Sequence, residues 1–234
     1  MTPPMPGSNP PSEPELMRSL GRLVRGLSSL FWGLPLALVV CFHTAKAEGL
    51  KNFGIVPPLA TTALMVYGLW QMGDFQRQER VWRRALDWAR ALVLIDFGLS
   101  PFVYWYNRVP GSLFFTVSVW VLVLSSLLFL GSLNFVLQRL GAMLPDEALR
   151  VEVRQFTTIN LNLLGLTLLL TVLFVVLSQV GRVPLALEPV MAVLKSEAGV
   201  WFLVLMVLLP LAMTMALIWK TKEVILDSIF SSKP

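Results

Sequence analysis

Histidine and cysteine occur once each, as His43 and Cys41. A lone cysteine excludes an intramolecular disulfide and a cysteine-only metal cluster. A lone histidine excludes multi-histidine metal sites and haem held by two histidines. No HExxH, nucleophile elbow, Walker loop or CxxC occurs. Charge is also scarce: 14% of the 234 residues are Asp, Glu, Lys or Arg, against about 25% in a soluble domain. So few charges cannot cover a soluble globule of this size. Hydrophobic residues make up 56% and mean hydropathy is +0.70, which excludes disordered and collagen-like chains. The class that remains is an integral membrane protein.

A helix needs about 20 mostly apolar residues to cross a bilayer. Six windows meet that length: 27–45, 53–72, 86–106, 112–137, 158–180 and 200–219. None alternates like a membrane β-strand, and helices satisfy their own backbone in lipid. The expected fold is an all-α, polytopic membrane helix bundle with six transmembrane helices. Asn107-Arg108-Val109-Pro110-Gly111 leaves room only for a turn between the third and fourth spans. A Pro-rich cytoplasmic arm over residues 1–17 precedes a membrane domain over 18–230.

Lys and Arg set orientation. Thirteen of the nineteen lie in the N-terminal segment, in the loops after spans two and four, and in the tail. Five lie in the other three loops, and Arg90 sits at the start of span three. Both termini are therefore expected in the cytoplasm, with the protein in a bacterial inner membrane. A competing reading takes Ala45-Lys46-Ala47 as a signal-peptidase site, which would remove span one. The long Pro-rich stretch before the apolar core argues against it. Basic runs before the odd spans and Val-Pro in the outer loops (Val56-Pro57, Val109-Pro110, Val183-Pro184) raise the idea of three parallel hairpins. Composition alone makes such coincidences common.

Two segments read as surface helices. Residues 74–90 place Phe75, Trp82, Leu86 and Ala89 near one helical face, with Arg77, Arg80, Arg83 and Arg84 as a basic set at the membrane surface. Anionic inner-leaflet lipids are the expected neighbours, and each basic residue there contributes about 1 kcal/mol. Residues 145–156 carry an i,i+4 pair, Asp146 with Arg150, and an apolar stripe of Leu149, Val153 and Phe156. Such a helix would run into span five.

Asp96 is the one acid near the middle of a span. An intramembrane ionisable residue is a functional candidate, so Asp96 is a candidate proton or cation site. The structural alternative is a neutral carboxyl bonded to a hydroxyl such as Thr61, Thr62, Ser125 or Thr214. Pro101 cannot donate to the carbonyl of Phe97, so span three is expected to kink beside Asp96. Gly111, Ser118, Ser125 and Ser132 recur every seven residues and read as a helix-packing seam. Asn134, Asn160 and Asn162 lie at matching ends of spans four and five and are expected to bond across helices. No residues read as catalytic, as metal ligands or as holding a cofactor. The basic balance marks membrane orientation, not nucleic-acid binding. The expected function is a non-enzymatic structural, accessory or assembly subunit of a membrane complex, with other membrane subunits as partners. The alternative is a small transporter or channel using Asp96.

Overall fold

The computed structural model describes residues 13–46, 53–75, 79–143, 147–179 and 196–230. The described residues are helical throughout apart from short turns, with no strand among them. Helix α1 is Glu13–Lys46 and α2 is Val56–Gln71, continued by a tighter 3-10 turn at Met72–Asp74. Helix α3 is Arg80–Leu99, α4 Phe102–Arg108, α5 Leu113–Met143, α6 Glu147–Gln179 and α7 Glu197–Phe230. Arg77, Asp146, the Ala47 cleavage candidate and the Val183-Pro184 loop lie outside the described residues.

Four helices are long and apolar enough to cross a membrane, over Met17–Lys46, Leu113–Met143, Arg150–Leu177 and Val204–Asp227. These lie in α1, α5, α6 and α7. The other two expected spans fall on shorter or broken elements. Helix α2 has 16 residues, or roughly 24 Å at about 1.5 Å per residue, against an apolar bilayer core of about 30 Å. Helix α3 begins with Arg80, Arg83 and Arg84, and α4 adds only seven residues beyond the break. The expected helix over 145–156 is not a separate element; its residues from Glu147 form the first turns of α6. Helix α1 starts at Glu13, inside the arm expected for residues 1–17.

The break between α3 and α4 follows from Pro101. Proline has no N–H to give the carbonyl four residues back. The Ser100 hydroxyl donates to that carbonyl, on Phe97, at 3.0 Å. The Thr62 hydroxyl on α2 in turn donates to Ser100 Oγ at 3.2 Å. Gly111 turns the chain toward α5 with φ +88°, a left-handed conformation that glycine adopts without a Cβ clash.

Helix α1 packs against α2, α4 and α7, while α5 packs against α3, α4, α6 and α7. Leu23, Leu27, Leu30 and Leu34 form the buried stripe of α1, and Leu133, Leu137 and Leu140 that of α5. The stripe expected on 74–90 is present: Phe75, Trp82, Leu86 and Ala89 are all buried. It faces the protein core and not the leaflet, because α2 and α5 cover it. Helices α1 and α2 cross with their backbones nearly touching. A Cβ on Gly26 would lie 2.6 Å from the Gly68 carbonyl oxygen, and one on Gly68 would lie 3.0 Å from the Gly26 oxygen. Small residues permit such approaches. Replacing Gly26 with Val forces these backbones apart. The expected cost is roughly 1–3 kcal/mol, read as a lower midpoint for thermal unfolding in detergent, with Gly21→Val, whose Cβ meets open space, as the neutral control.

Candidate functional site

Among the described residues, the polar interior holds a bonded knot, in which Asn160 Oδ1 alone lacks a partner, and several buried groups without partners, the Asp96 carboxyl among them. The knot joins α5, α6 and α7. Asn134, Asn160 and Thr214 are all fully buried. Asn160 Nδ2 donates to Asn134 Oδ1 at 3.0 Å, to Thr214 Oγ1 at 2.9 Å and to the Pro210 carbonyl at 3.2 Å. Asn134 Nδ2 donates to Thr214 Oγ1 at 2.9 Å and to the Leu130 carbonyl at 2.8 Å. The Thr214 hydroxyl donates to the Pro210 carbonyl at 2.8 Å. Pro210 lies inside α7 and cannot donate to the Met206 carbonyl. The Thr167 hydroxyl on α6 lies 3.0 Å from that carbonyl and 2.8 Å from its own Leu163 carbonyl, and shares its one hydrogen between them. Asn160 and Thr167 are seven residues apart, so they share one face of α6. One helix face therefore grips the proline-bearing stretch of α7 at two levels.

Asparagines 134 and 160 meet as the sequence suggests. Asn162 does not join them: it is exposed, because a residue two places on points to the other side of a helix. The Thr214 and Pro210 contribution is not visible from spacing alone.

Asp96 is 2% exposed, and neither of its carboxyl oxygens has a hydrogen-bond partner among the described residues. It lines a cavity of about 200 Å³ between α1, α2, α3, α5 and α7. Cys41, Thr62 and Ser126 bring the other polar atoms to its walls, and the remainder is leucine, valine, alanine, methionine and phenylalanine. Ser125 and Ser126 face Asp96 from α5. Ser126 Oγ donates to the Leu122 carbonyl at 2.8 Å, whereas buried Ser125 Oγ is unpartnered. Of the hydroxyls expected to meet Asp96, Thr62 bonds Ser100 and Thr214 belongs to the knot. Cys41 lines the cavity on α1, while His43 is exposed beside the Phe42 ring.

The seven-residue seam is only partly a packing seam. Ser118 and Ser125 are buried, Ser132 is half-buried, and Gly111 is an exposed turn residue ahead of α5. Ser118 and Ser132 hydroxyls donate back to their own helix, at Phe114 and Phe129. Arg80, Arg83 and Arg84 are exposed along α3.

Arg90 has a role that its place in span three conceals. Its guanidinium donates to the Leu69 carbonyl at 3.2 Å, reaches the Trp70 carbonyl at 3.5 Å and lies 5.2 Å from the Trp70 ring centroid. These are terminal carbonyls of α2, where a cation is favoured. Asp87 steadies it from one turn back at 3.6 Å. Gly73 leaves the space that the guanidinium occupies. Lys220 of α7 pairs with Glu152 of α6.

Comparison with protein-family models, curated proteins and solved structures finds no match. The described residues hold no cluster of three His, Cys, Asp or Glu side chains able to grip a metal ion.

Loss of a knot bond is the direct check on its structural weight. Thr167→Val removes the donor to Met206 and is expected to cost about 0.6–1.7 kcal/mol, the range for interhelical bonds in membranes. Asn160→Leu, which removes the amide that bonds both α5 and α7, is expected to cost more than Thr167→Val. Reversible unfolding in mixed micelles ranks the two; equal stability of both variants with the parent would refute the knot as a fastening.

Proposed function

We propose that the chain is a six-span protein of a bacterial inner membrane, with both termini in the cytoplasm. The Lys and Arg asymmetry supports that orientation. The α3–α4 pair and α2 complete the six crossings beside the four long apolar helices. Arg90 supports the shorter α2 by capping its C-terminal carbonyls. The break at Pro101 supports a crossing made of α3 and α4 together, since its freed carbonyl is already bonded.

The protein works as a non-enzymatic structural, accessory or assembly subunit. The observation that carries this reading is the use of the deepest polar side chains. Asn134, Asn160, Thr167 and Thr214 are committed to bonds that fasten α5, α6 and α7. They do not line a route for a polar solute. Other membrane subunits are the partners that such a rigid body would serve. Purification in a mild detergent, with the co-purifying chains identified, tests this. A stoichiometric membrane partner is the expected result, and recovery of a lone monomer would overturn it.

One observation favours a second reading, a small transporter or channel. Asp96 presents an unpartnered carboxyl to a cavity shared by five helices. A proton or cation carrier needs such a group. The apolar lining of that cavity weighs against it, because a hydrated ion requires polar walls at several depths. Proteoliposomes bearing the purified protein decide the matter. The subunit reading expects no proton or cation flux above empty vesicles. Flux that disappears in a folded Asp96→Asn variant would replace it with the second reading.

A further inference from the structure

We propose that the groove between α3, α5 and α6 binds one anionic phospholipid, with its phosphate on Arg84 and Arg139 and an acyl chain along the apolar floor. The groove has a volume of about 630 Å³, within the range of about 300–1,000 Å³ typical of ligand sites. Its floor is made of small residues: Gly131 and Ser132 on α5 and Gly165 on α6. A Cβ on Gly165 would meet no atom within 4 Å, so the chain leaves that space open. The walls are leucine, valine, alanine and phenylalanine. Arg84 and Arg139 stand in the same lining, on the first turns of α3 and the last turns of α5.

Both guanidiniums are exposed, and neither has an ion pair or hydrogen bond among the described residues. Two unneutralised cations above an apolar slot are complementary to one amphiphile class: an anionic head on a hydrocarbon tail. Guanidinium groups bind phosphate oxygens in paired geometry. Trp88, 65% exposed, shares the site, and tryptophan favours the level where headgroups meet chains. A second, shallower cup continues from the groove through Arg84 and Trp88 to Arg80 and Arg83. It adds exposed Arg80 to the basic surface beside the head. Asp87 lies in that cup too, but it is engaged with Arg90 at 3.6 Å. A partner helix would suit the apolar slot alone. It would give no account of two arginines left without acids at one end.

The test uses the full-length protein, delipidated in a non-ionic detergent and titrated with phosphatidylglycerol, with phosphatidylcholine of the same chains as the comparison. Native mass spectrometry reads the bound species. The expected result is one phosphatidylglycerol per chain, held at least tenfold more tightly than phosphatidylcholine. The double variant Arg84→Gln/Arg139→Gln loses that preference, and Arg154→Gln, an exposed arginine outside the groove, keeps it. Gly165→Leu fills the floor with both arginines intact and weakens phosphatidylglycerol binding at least tenfold. A thermal melt confirms that each variant is folded; if Gly165→Leu is not, Ser132→Leu fills the same floor. Equal retention of the two lipids would overturn the proposal. So would a preference that survives both the double variant and the filled floor, which would mark a diffuse lipid belt. A co-purified protein chain displaced by Gly165→Leu would assign the slot to a partner helix instead.

Discussion

Proline inside a membrane helix leaves a backbone carbonyl with no donor, and an apolar surrounding offers no water to replace it. Pro35 lies inside α1, Pro210 inside α7 and Pro101 at the break between α3 and α4, and at the last two a hydroxyl reaches the freed carbonyl. At Pro101 the donor is local: Ser100 turns back to Phe97, and Thr62 of the neighbouring helix holds Ser100. At Pro210 the donor comes from another helix: Thr167 of α6 reaches Met206 of α7. The first arrangement lets the chain bend between α3 and α4. The second fixes the register of α6 against α7, because a slide along the helix axis would separate Thr167 from Met206 and Asn160 from Pro210 together.

The rest of the packing is arranged around these fixed points. Helix α5 carries Asn134 to the knot and so cannot rotate freely. With α5 set, Ser125 and Ser126 must face Asp96, and Gly131 and Ser132 must floor the groove. The α1–α2 pair is held by different means, a glycine contact at Gly26 and Gly68 and the Arg90 cap on α2. Glycine closeness and the Arg90 hydrogen bonds serve α1 and α2, and amide and hydroxyl bonds serve α5, α6 and α7. Both are available in lipid, where apolar burial between helices contributes little by itself.

Much of this architecture can be read in the sequence, and the failures have physical causes. Apolar length marks the four long helices directly. It does not show that α2 is shorter or that α3 and α4 are separate, because hydropathy does not register where a helix starts or breaks. The kink at Pro101 is legible because the missing N–H is a property of one residue. Asn134 and Asn160 are legible as intramembrane amides, yet their link to Thr214 and the Pro210 carbonyl needs a third helix whose rotation no local pattern encodes. The seven-residue recurrence of small residues misleads for the same reason. Spacing shows which residues share a face, not which face meets a close neighbour. A close backbone approach instead uses Gly26 and Gly68, and Gly26 recurs seven residues on as Gly33, where a Cβ would also meet α2 at Met65. Arg90 reads as a stray charge until α2 is placed beside it.

The central cavity and the lateral groove are two outcomes of one packing problem. Leu127 of α5 lines both, so the two share part of one wall. On the inner side of that wall the carboxyl has no cation; on the outer side the cations have no acid. Helices α3 and α5 hold these charges at different levels: Arg84 stands about 18 Å before Asp96 along the axis of α3. Their rotation is set elsewhere, by Asn134 in the knot and by the buried Trp82, Leu86 and Ala89 stripe. The charges are therefore left unneutralised by the fold itself, and what each side can accept follows from its walls. The inner site is small and almost wholly apolar, which suits a neutral group. The outer site is larger and open, which suits an anion with a hydrocarbon tail.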